Sequence, residues 1–173
     1  VGSGAPTVTQ AARATPSPVT GTTTVLSVRA TDDAGEPSLQ YSWSATVAPA
    51  PVTFSANSSN AAKDSTATFT QAGDYEFLVT IIDTAGNMVT SVVRVTVQAV
   101  RTTLQLQPSI VTVPVLGTEQ FSAVVEDQFG DAITPQPAVT WAVSGGGAVN
   151  ATGLFTAGAT AGGPHTLTAT SGT

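Results

Sequence analysis

Two alternating apolar and polar segments, each carrying a tryptophan, recur in the two halves of this 173-residue chain. The first is Leu39-Gln-Tyr-Ser-Trp43 and the second is Ala138-Val-Thr-Trp141. A period of two places every second side chain on one face, which predicts a half-buried β-strand. Further along each half, another alternating segment opens at Gly73-Asp-Tyr75 and at Gly163-Pro-His165. The chain therefore reads as two similar all-β halves in series.

Short alternating segments separated by turn residues continue through both halves. In the first half we predict two pieces of an edge strand at 6–10 and 18–20, and then the second to seventh strands at 23–30, 39–45, 52–55, 65–69, 73–82 and 88–97. In the second half we predict them at 110–115, 119–126, 139–143, 148–149, 154–155 and 165–170. A tryptophan on the third strand and a corner residue that opens the sixth are typical of the immunoglobulin-like β-sandwich. The predicted fold class is all-β, with two immunoglobulin-like sandwiches in tandem.

Three of these strands have a recognisable inward face. Their inward side chains are Leu39, Tyr41 and Trp43; Tyr75, Phe77, Val79 and Ile81; and Phe121, Ala123 and Val125. Tyr75 and His165 occupy matching positions, so we predict that each is a corner residue that hydrogen-bonds the nearby backbone.

The spacing of the strands also predicts the domain bounds. Residues 1–5 are expected to be a linker, 6–98 the first module, 99–102 a short linker and 103–173 the second module. A closing seventh strand is due where the second pattern stops. We therefore expect the second sandwich to lack its last strand, which truncation removes or another segment supplies.

Composition excludes several classes of partner. The net charge is −6, and the five basic residues are scattered, so no basic patch is available to contact nucleic-acid phosphates. No apolar run approaches the roughly 18 residues of a membrane-spanning helix, so membrane insertion is not expected. The chain has no cysteine, which excludes disulfides, thiolate metal sites and a cysteine nucleophile.

The residues needed for catalysis are also missing. His165 is the single histidine, and the carboxylates lie mostly in turns rather than as a pair across a cleft. We therefore predict that the chain is not an enzyme, has no catalytic or cofactor-binding residues and requires no cofactor.

Calcium is the one metal that the sequence suggests. In a sandwich, the loops after the second and sixth strands share one end, which would bring Asp32 and Asp33 near Asp83 and Asn87. These side chains offer the hard oxygen ligands that Ca²⁺ takes. Asp127 and Asp131 occupy the equivalent first loop of the second module. The alternative interpretation is that Asp and Asn are simply favourable turn residues.

Two further kinds of site have few candidates. A carbohydrate-stacking platform needs exposed aromatic side chains, and Phe54 and Phe129 alone lie outside the inward pattern. An intramolecular isopeptide crosslink needs a lysine, and Lys63 is the sole candidate in the first module, where an exposed solubilising lysine is the simpler interpretation. The second module has no lysine.

Both modules resemble known bacterial families. Residues 6–98 resemble PKD-like and cadherin-like modules through Ala30-Thr-Asp-Asp33, Leu39–Ser44, Ala72–Val79 and Asp83–Asn87. Residues 103–173 resemble bacterial Ig-like repeats of the invasin and intimin type through Val113–Phe121, Val139-Thr-Trp141 and Ala151–Ala157.

The resemblance implies a non-catalytic role in a larger secreted or cell-surface bacterial protein. The chain is expected to be a spacer that positions a neighbouring domain of the parent chain. The alternative is a carbohydrate-binding or adhesive module attached to a polysaccharide-degrading enzyme or an adhesin, with a polysaccharide or a surface protein as its partner.

Overall fold

The computed structural model describes residues 4–172, so residues 1–3 of the predicted linker lie outside the described part. The chain divides into two compact units, Val1–Val100 and Arg101–Thr173. Both are built from antiparallel strands joined by turns. No helix in the described part is long and apolar enough to cross a membrane.

The first unit is a complete two-sheet sandwich. Its strands are β1 (Thr7–Thr15), β2 (Thr23–Thr31), β3 (Gln40–Val47), β4 (Thr53–Phe54), β5 (Asp64–Thr68), β6 (Gly73–Ile82) and β7 (Met88–Val97). One sheet has the order β1-β2-β5-β4 and the other β3-β6-β7. Four strands facing three in this order is the constant-type immunoglobulin arrangement.

Alternation along the strands builds the core of the first unit. Tyr75, Phe77, Val79 and Ile81 on β6 are all buried, as are Leu39, Tyr41 and Trp43 on and before β3, so both predicted inward faces are confirmed. Phe54 is half-buried and packs edge to face on Phe77, with ring centroids 5.7 Å apart. It is therefore part of the packing rather than an exposed aromatic platform.

Two buried polar atoms in this core have backbone partners. The indole Nε1–H of Trp43 donates to the carbonyl of Ala62 at 2.7 Å. The hydroxyl of Tyr75 donates to the carbonyl of Gln71 at 2.8 Å, four residues upstream. Tyr75 is therefore the predicted corner residue.

The second unit has the same plan, but its described part has no counterpart of β7. Its strands are β8 (Arg101–Gln107), β9 (Thr118–Gln120), β10 (Ser122–Asp127), β11 (Val139–Val143), β12 (Gly147–Val149), β13 (Leu154–Ala157) and β14 (Leu167–Ser171). The pairings are β10-β8, β12-β13-β9 and β11-β14. Together, β9 and β10 take the place that β2 has in the first unit. No described strand takes the place of β7, as predicted.

The second unit buries much less apolar surface. Phe121 and Val125, 7% and 2% exposed, are the buried hydrophobic residues in its described part. Trp141 is half-buried, whereas Ile110 is 92% exposed and Leu116 is 71% exposed. In the described part, β11 and β14 pair only with each other, so each of these two strands has one edge without a neighbouring strand.

Several predicted strands are wrong, each for a tertiary reason. Residues 110–115 are not a strand; the first strand of this unit is β8, which begins inside the predicted linker 99–102. The predicted strand 119–126 is broken at Phe121, because β9 pairs with β13 whereas β10 pairs with β8.

The start of the first unit also differs from the prediction. In place of two short edge pieces at 6–10 and 18–20, β1 is continuous from Thr7 to Thr15 and pairs with β2. Val19 makes only an isolated parallel bridge to Val97.

Candidate functional site

Strand register brings several polar loops to one end of the first unit. Gln40 at the start of β3 pairs with Ile82 at the end of β6, so the loops 32–39 and 83–87 lie at the same end. Tyr41 bridges to Ser59, which places the 3-10 turn Asn60–Lys63 there as well. This polar end contains all four residues of the predicted calcium site.

Asp83 is used to build its own turn. Its side chain is 5% exposed, and Oδ1 accepts hydrogen bonds from the backbone N–H groups of Ala85 and Asn87, both at 2.8 Å. Oδ2 accepts from the side-chain amide of Asn87 at 2.9 Å. The Asn87 side-chain hydrogen bond, together with backbone donors of the turn, lowers the pKa of Asp83 although burial opposes this.

Asp32 and Asp33 lie in the other turn. Asp32 accepts from the N–H of Ala34 through Oδ2 at 3.0 Å and from the N–H of Gly35 through its carbonyl at 3.1 Å. Its Oδ1 is buried without a hydrogen-bond partner in the described part, whereas Asp33 is exposed.

The same turn occurs twice in the second unit. Asp127 Oδ1 accepts from the N–H groups of Phe129 and Asp131 at 2.8 and 3.1 Å. Asn150 Oδ1 accepts from the N–H groups of Thr152 and Leu154 at 2.9 and 3.0 Å. Each of the four turns has the pattern Asx-x-x-Gly and ends in a glycine with positive φ, at Gly35, Gly86, Gly130 and Gly153. Glycine adopts this conformation without a Cβ penalty.

These hydrogen bonds support the turn interpretation of the acidic residues. Asp32, Asp33, Asp83 and Asn87 are divided between two separate turns. Within residues 4–172, no group of three or more His, Cys, Asp or Glu side chains is placed to hold a metal ion. Calcium binding at this end stays a prediction.

A polar network at the same end is not evident from the sequence. Lys63 Nζ lies 3.0 and 3.1 Å from the two carboxylate oxygens of Glu36 and 3.1 Å from Asn60 Oδ1. Asn60 Nδ2 donates to Glu36 Oε1 at 3.0 Å, and the Tyr41 hydroxyl donates to the same oxygen at 3.2 Å. The Glu36 and Lys63 side chains are each 30% exposed, so Lys63 is not the exposed solubilising lysine expected from the sequence.

The network shifts two titrations. Burial raises the pKa of Glu36, but hydrogen bonds from Lys63, Asn60 and Tyr41 and the charge of Lys63 more than offset this, so its pKa is lowered. Burial, and then the neighbouring Glu36 carboxylate, raises the pKa of Tyr41 to about 12. At neutral pH Glu36 is therefore a carboxylate and Tyr41 a neutral phenol.

His165 does not have the predicted corner role. It is exposed, precedes β14 and has no hydrogen bond within the described residues. Its ring lies against Gly145 and Gly146, where a Cβ at Gly146 would collide with it. Phe129 is half-buried in its turn. Phe129 is therefore not an exposed aromatic platform.

The sequence matches one protein-family model. Residues 17–97 match the family described as "K319L-like, PKD domain". The first unit is therefore similar to PKD-like modules. This confirms the resemblance drawn from its motifs, and modules of this kind are generally non-catalytic and typically extracellular. Comparison with curated proteins finds no match.

The chain is similar to several solved structures. Drosophila N-cadherin EC1-4 is 16% identical, with 89% of this chain and 40% of that chain covered and a TM-score of 0.54. The D00-D0 domain of intimin is 17% identical, covering 91% and 90%, with a TM-score of 0.45. A nucleoside hydrolase-related hypothetical protein from Saccharophagus degradans, described as associated with carbohydrate metabolism, is 22% identical, covering 55% and 26%, with a TM-score of 0.42. The chain spans less than half the length of the N-cadherin fragment and of the Saccharophagus degradans protein. The N-cadherin likeness supports tandem immunoglobulin-like modules.

Proposed function

We propose that the chain is a non-catalytic spacer in a larger secreted or cell-surface bacterial protein, where it positions a neighbouring domain. The observation that carries this proposal is the connection between its units: β7 ends at Val97 and β8 begins at Arg101, which leaves three residues between strands. Three residues span at most about 10 Å. Such a connection restricts how far two sandwiches can swing.

The polar end of the first unit supports the same proposal. The carboxylates of Asp83 and Glu36 are already bound by groups of the module itself. These hydrogen bonds order loops that would otherwise be open to proteases. The hydrogen bonds at this end therefore help the module to resist proteolysis.

The spacer proposal is testable by distance measurement between two spin labels. The chain has no cysteine, so Val92→Cys and Thr168→Cys, at exposed positions of β7 and β14, provide one label in each unit. We expect a narrow distance distribution by pulsed electron resonance. The matched control inserts about six Gly and Ser residues after Ala99, which produces a flexible linker and a broad distribution. A native distribution as broad as the control would contradict the spacer proposal.

Binding to a surface partner is the competing outcome. The purified chain is mixed with a panel of insoluble polysaccharides, with calcium and with a chelator. We expect the chain to remain in solution in every case. Depletion by one polysaccharide would replace the spacer proposal with a carbohydrate-binding module, and calcium-dependent depletion would point to Asp32, Asp33 and Asp83.

A further inference from the structure

The polar network contains the three groups needed for a self-catalysed crosslink. They are a primary amine on Lys63, a carboxamide on Asn60 and a carboxylate on Glu36. Lys63 Nζ lies 3.1 Å from Asn60 Oδ1, and Glu36 Oε1 lies 3.0 Å from both Lys63 Nζ and Asn60 Nδ2. The carboxylate therefore contacts both the amine that could enter the amide and the nitrogen that would leave it.

The carboxamide is held in one orientation. Asn60 Nδ2 also donates to the backbone carbonyls of Glu36 and Leu39, at 2.9 and 3.0 Å. Leu39, Tyr41 and Ala62 are buried beside the group, so the network lies at the edge of the core. Reacting groups held in contact in this way gain a large effective concentration.

We infer that Lys63 and Asn60 join in an intramolecular isopeptide bond, with Glu36 carrying the proton. Glu36 accepts a proton from the Lys63 ammonium, and the neutral amine attacks Asn60 Cγ. A new Cγ–Nζ bond forms, the Cγ–Nδ2 bond breaks, and Nδ2 leaves with the transferred protons as ammonium. One ammonium side chain and one carboxamide thus become one secondary amide and one ammonium ion. No oxidant or reductant is needed.

Partial exposure of the network is compatible with this reaction. The ammonium ion can leave into solvent because Glu36 and Lys63 are each 30% exposed. Its dilution makes the step irreversible, so even a slow reaction accumulates product. While the pH is below the pKa of a lysine, each unit by which the pH rises increases its neutral fraction about tenfold. Formation of the crosslink therefore accelerates at alkaline pH.

The first test is the intact mass of the purified chain, before and after incubation at about pH 9. We expect a mass lower than that of the sequence by one ammonia molecule, and we expect trypsin no longer to cleave after Lys63. Fragmentation of the tryptic peptide should show Asn60 and Lys63 linked. A mass that stays at the sequence value after prolonged alkaline incubation would overturn the proposal.

Two variants separate the crosslink from other losses of ammonia. Lys63→Arg keeps the positive charge but removes the nucleophilic amine, so the mass loss should disappear. Attack on Asn60 by the Ala61 backbone nitrogen also releases ammonia, and this cyclisation does not need the Lys63 amine. A mass loss that persists in Lys63→Arg would therefore overturn the proposal. Glu36→Gln should slow formation about a hundredfold, the scale of general acid–base catalysis. Circular dichroism verifies that each variant is folded.

Discussion

Trp43 illustrates how a single residue contributes both packing and a buried hydrogen bond. Its ring lies in the core of the first unit, and Nε1–H donates to the Ala62 carbonyl at 2.7 Å. Trp141 has the equivalent place in the second unit, yet it is only half-buried. The same residue type therefore has different energetic weight in the two units.

The Trp43→Phe variant tests this difference. It leaves the Ala62 carbonyl without its donor and leaves a cavity, so the free energy of unfolding should fall by about 2–3 kcal/mol. Urea unfolding followed by circular dichroism measures the change. Trp141→Phe is the matched control and should cost about 1 kcal/mol or less. Equal losses in the free energy of unfolding for the two variants would contradict the greater contribution assigned to the buried Trp43.

Asp83 gives the first unit a specific acid sensitivity. Its pKa is lowered in the folded chain by hydrogen bonds from Asn87 and the turn backbone. Because the folded pKa lies below the unfolded value of about 3.9, this stabilisation is present at higher pH and is lost as the pH falls through the folded pKa. Asp83→Asn keeps an oxygen acceptor, as Asn150 does in the second unit, but has no charge to titrate.

We therefore expect the melting temperature of Asp83→Asn to fall less than that of the native chain between neutral pH and about pH 3. Thermal melts at the two pH values measure the difference. Asp33→Asn removes the same charge from an exposed position and should keep the native acid dependence. If the melting temperature of Asp83→Asn fell as much as that of the native chain, Asp83 would not be the source of the acid sensitivity.

At the scale of the element, β7 shows what a closing strand contributes. It pairs with β6 over ten consecutive residues, from Gly73 with Val97 to Ile82 with Met88. Its inward Val95 is buried, whereas Val92 on the other face is 50% exposed. The second unit has no described counterpart, and its core is correspondingly thin.

Substitutions on the two faces of β7 should differ sharply. Val95→Asp places an uncompensated charge in the core and should destabilise the first unit by roughly 4 kcal/mol or more. Val92→Asp places the same charge in solvent and should change stability by about 0.5 kcal/mol or less. The urea concentration at the midpoint of unfolding, measured for each variant, tests this difference. Similar midpoints would mean that β7 does not close the core in solution.

At the scale of the whole molecule, the two units should differ in stability. The first unit has a complete pair of sheets, whereas β11 and β14 of the second pair only with each other in the described part. Local stability follows buried apolar contacts and protected backbone hydrogen bonds. We expect amide hydrogens of β6 to exchange more slowly than those of β11 by hydrogen–deuterium exchange mass spectrometry. Exchange at equal rates would contradict this difference between the units.

The sequence alone determined those features that arise from neighbouring residues. The bounds of β6, β7 and β11 agree with the prediction, because a period of two is visible within a single strand. The Asp32-Asp-Ala-Gly35 turn is equally local, since the aspartate side chain and the positive φ of Gly35 act within four residues.

Tertiary structure decided the features that depend on which strands pair. The break at Phe121 exists because β9 and β10 pair with different strands, which no local pattern encodes. Likewise, Glu36 and Lys63 are 27 positions apart, and they meet because the loop before β3 and the turn before β5 share one end. Alternation identifies strands, but only packing selects which polar side chains from distant loops come into contact.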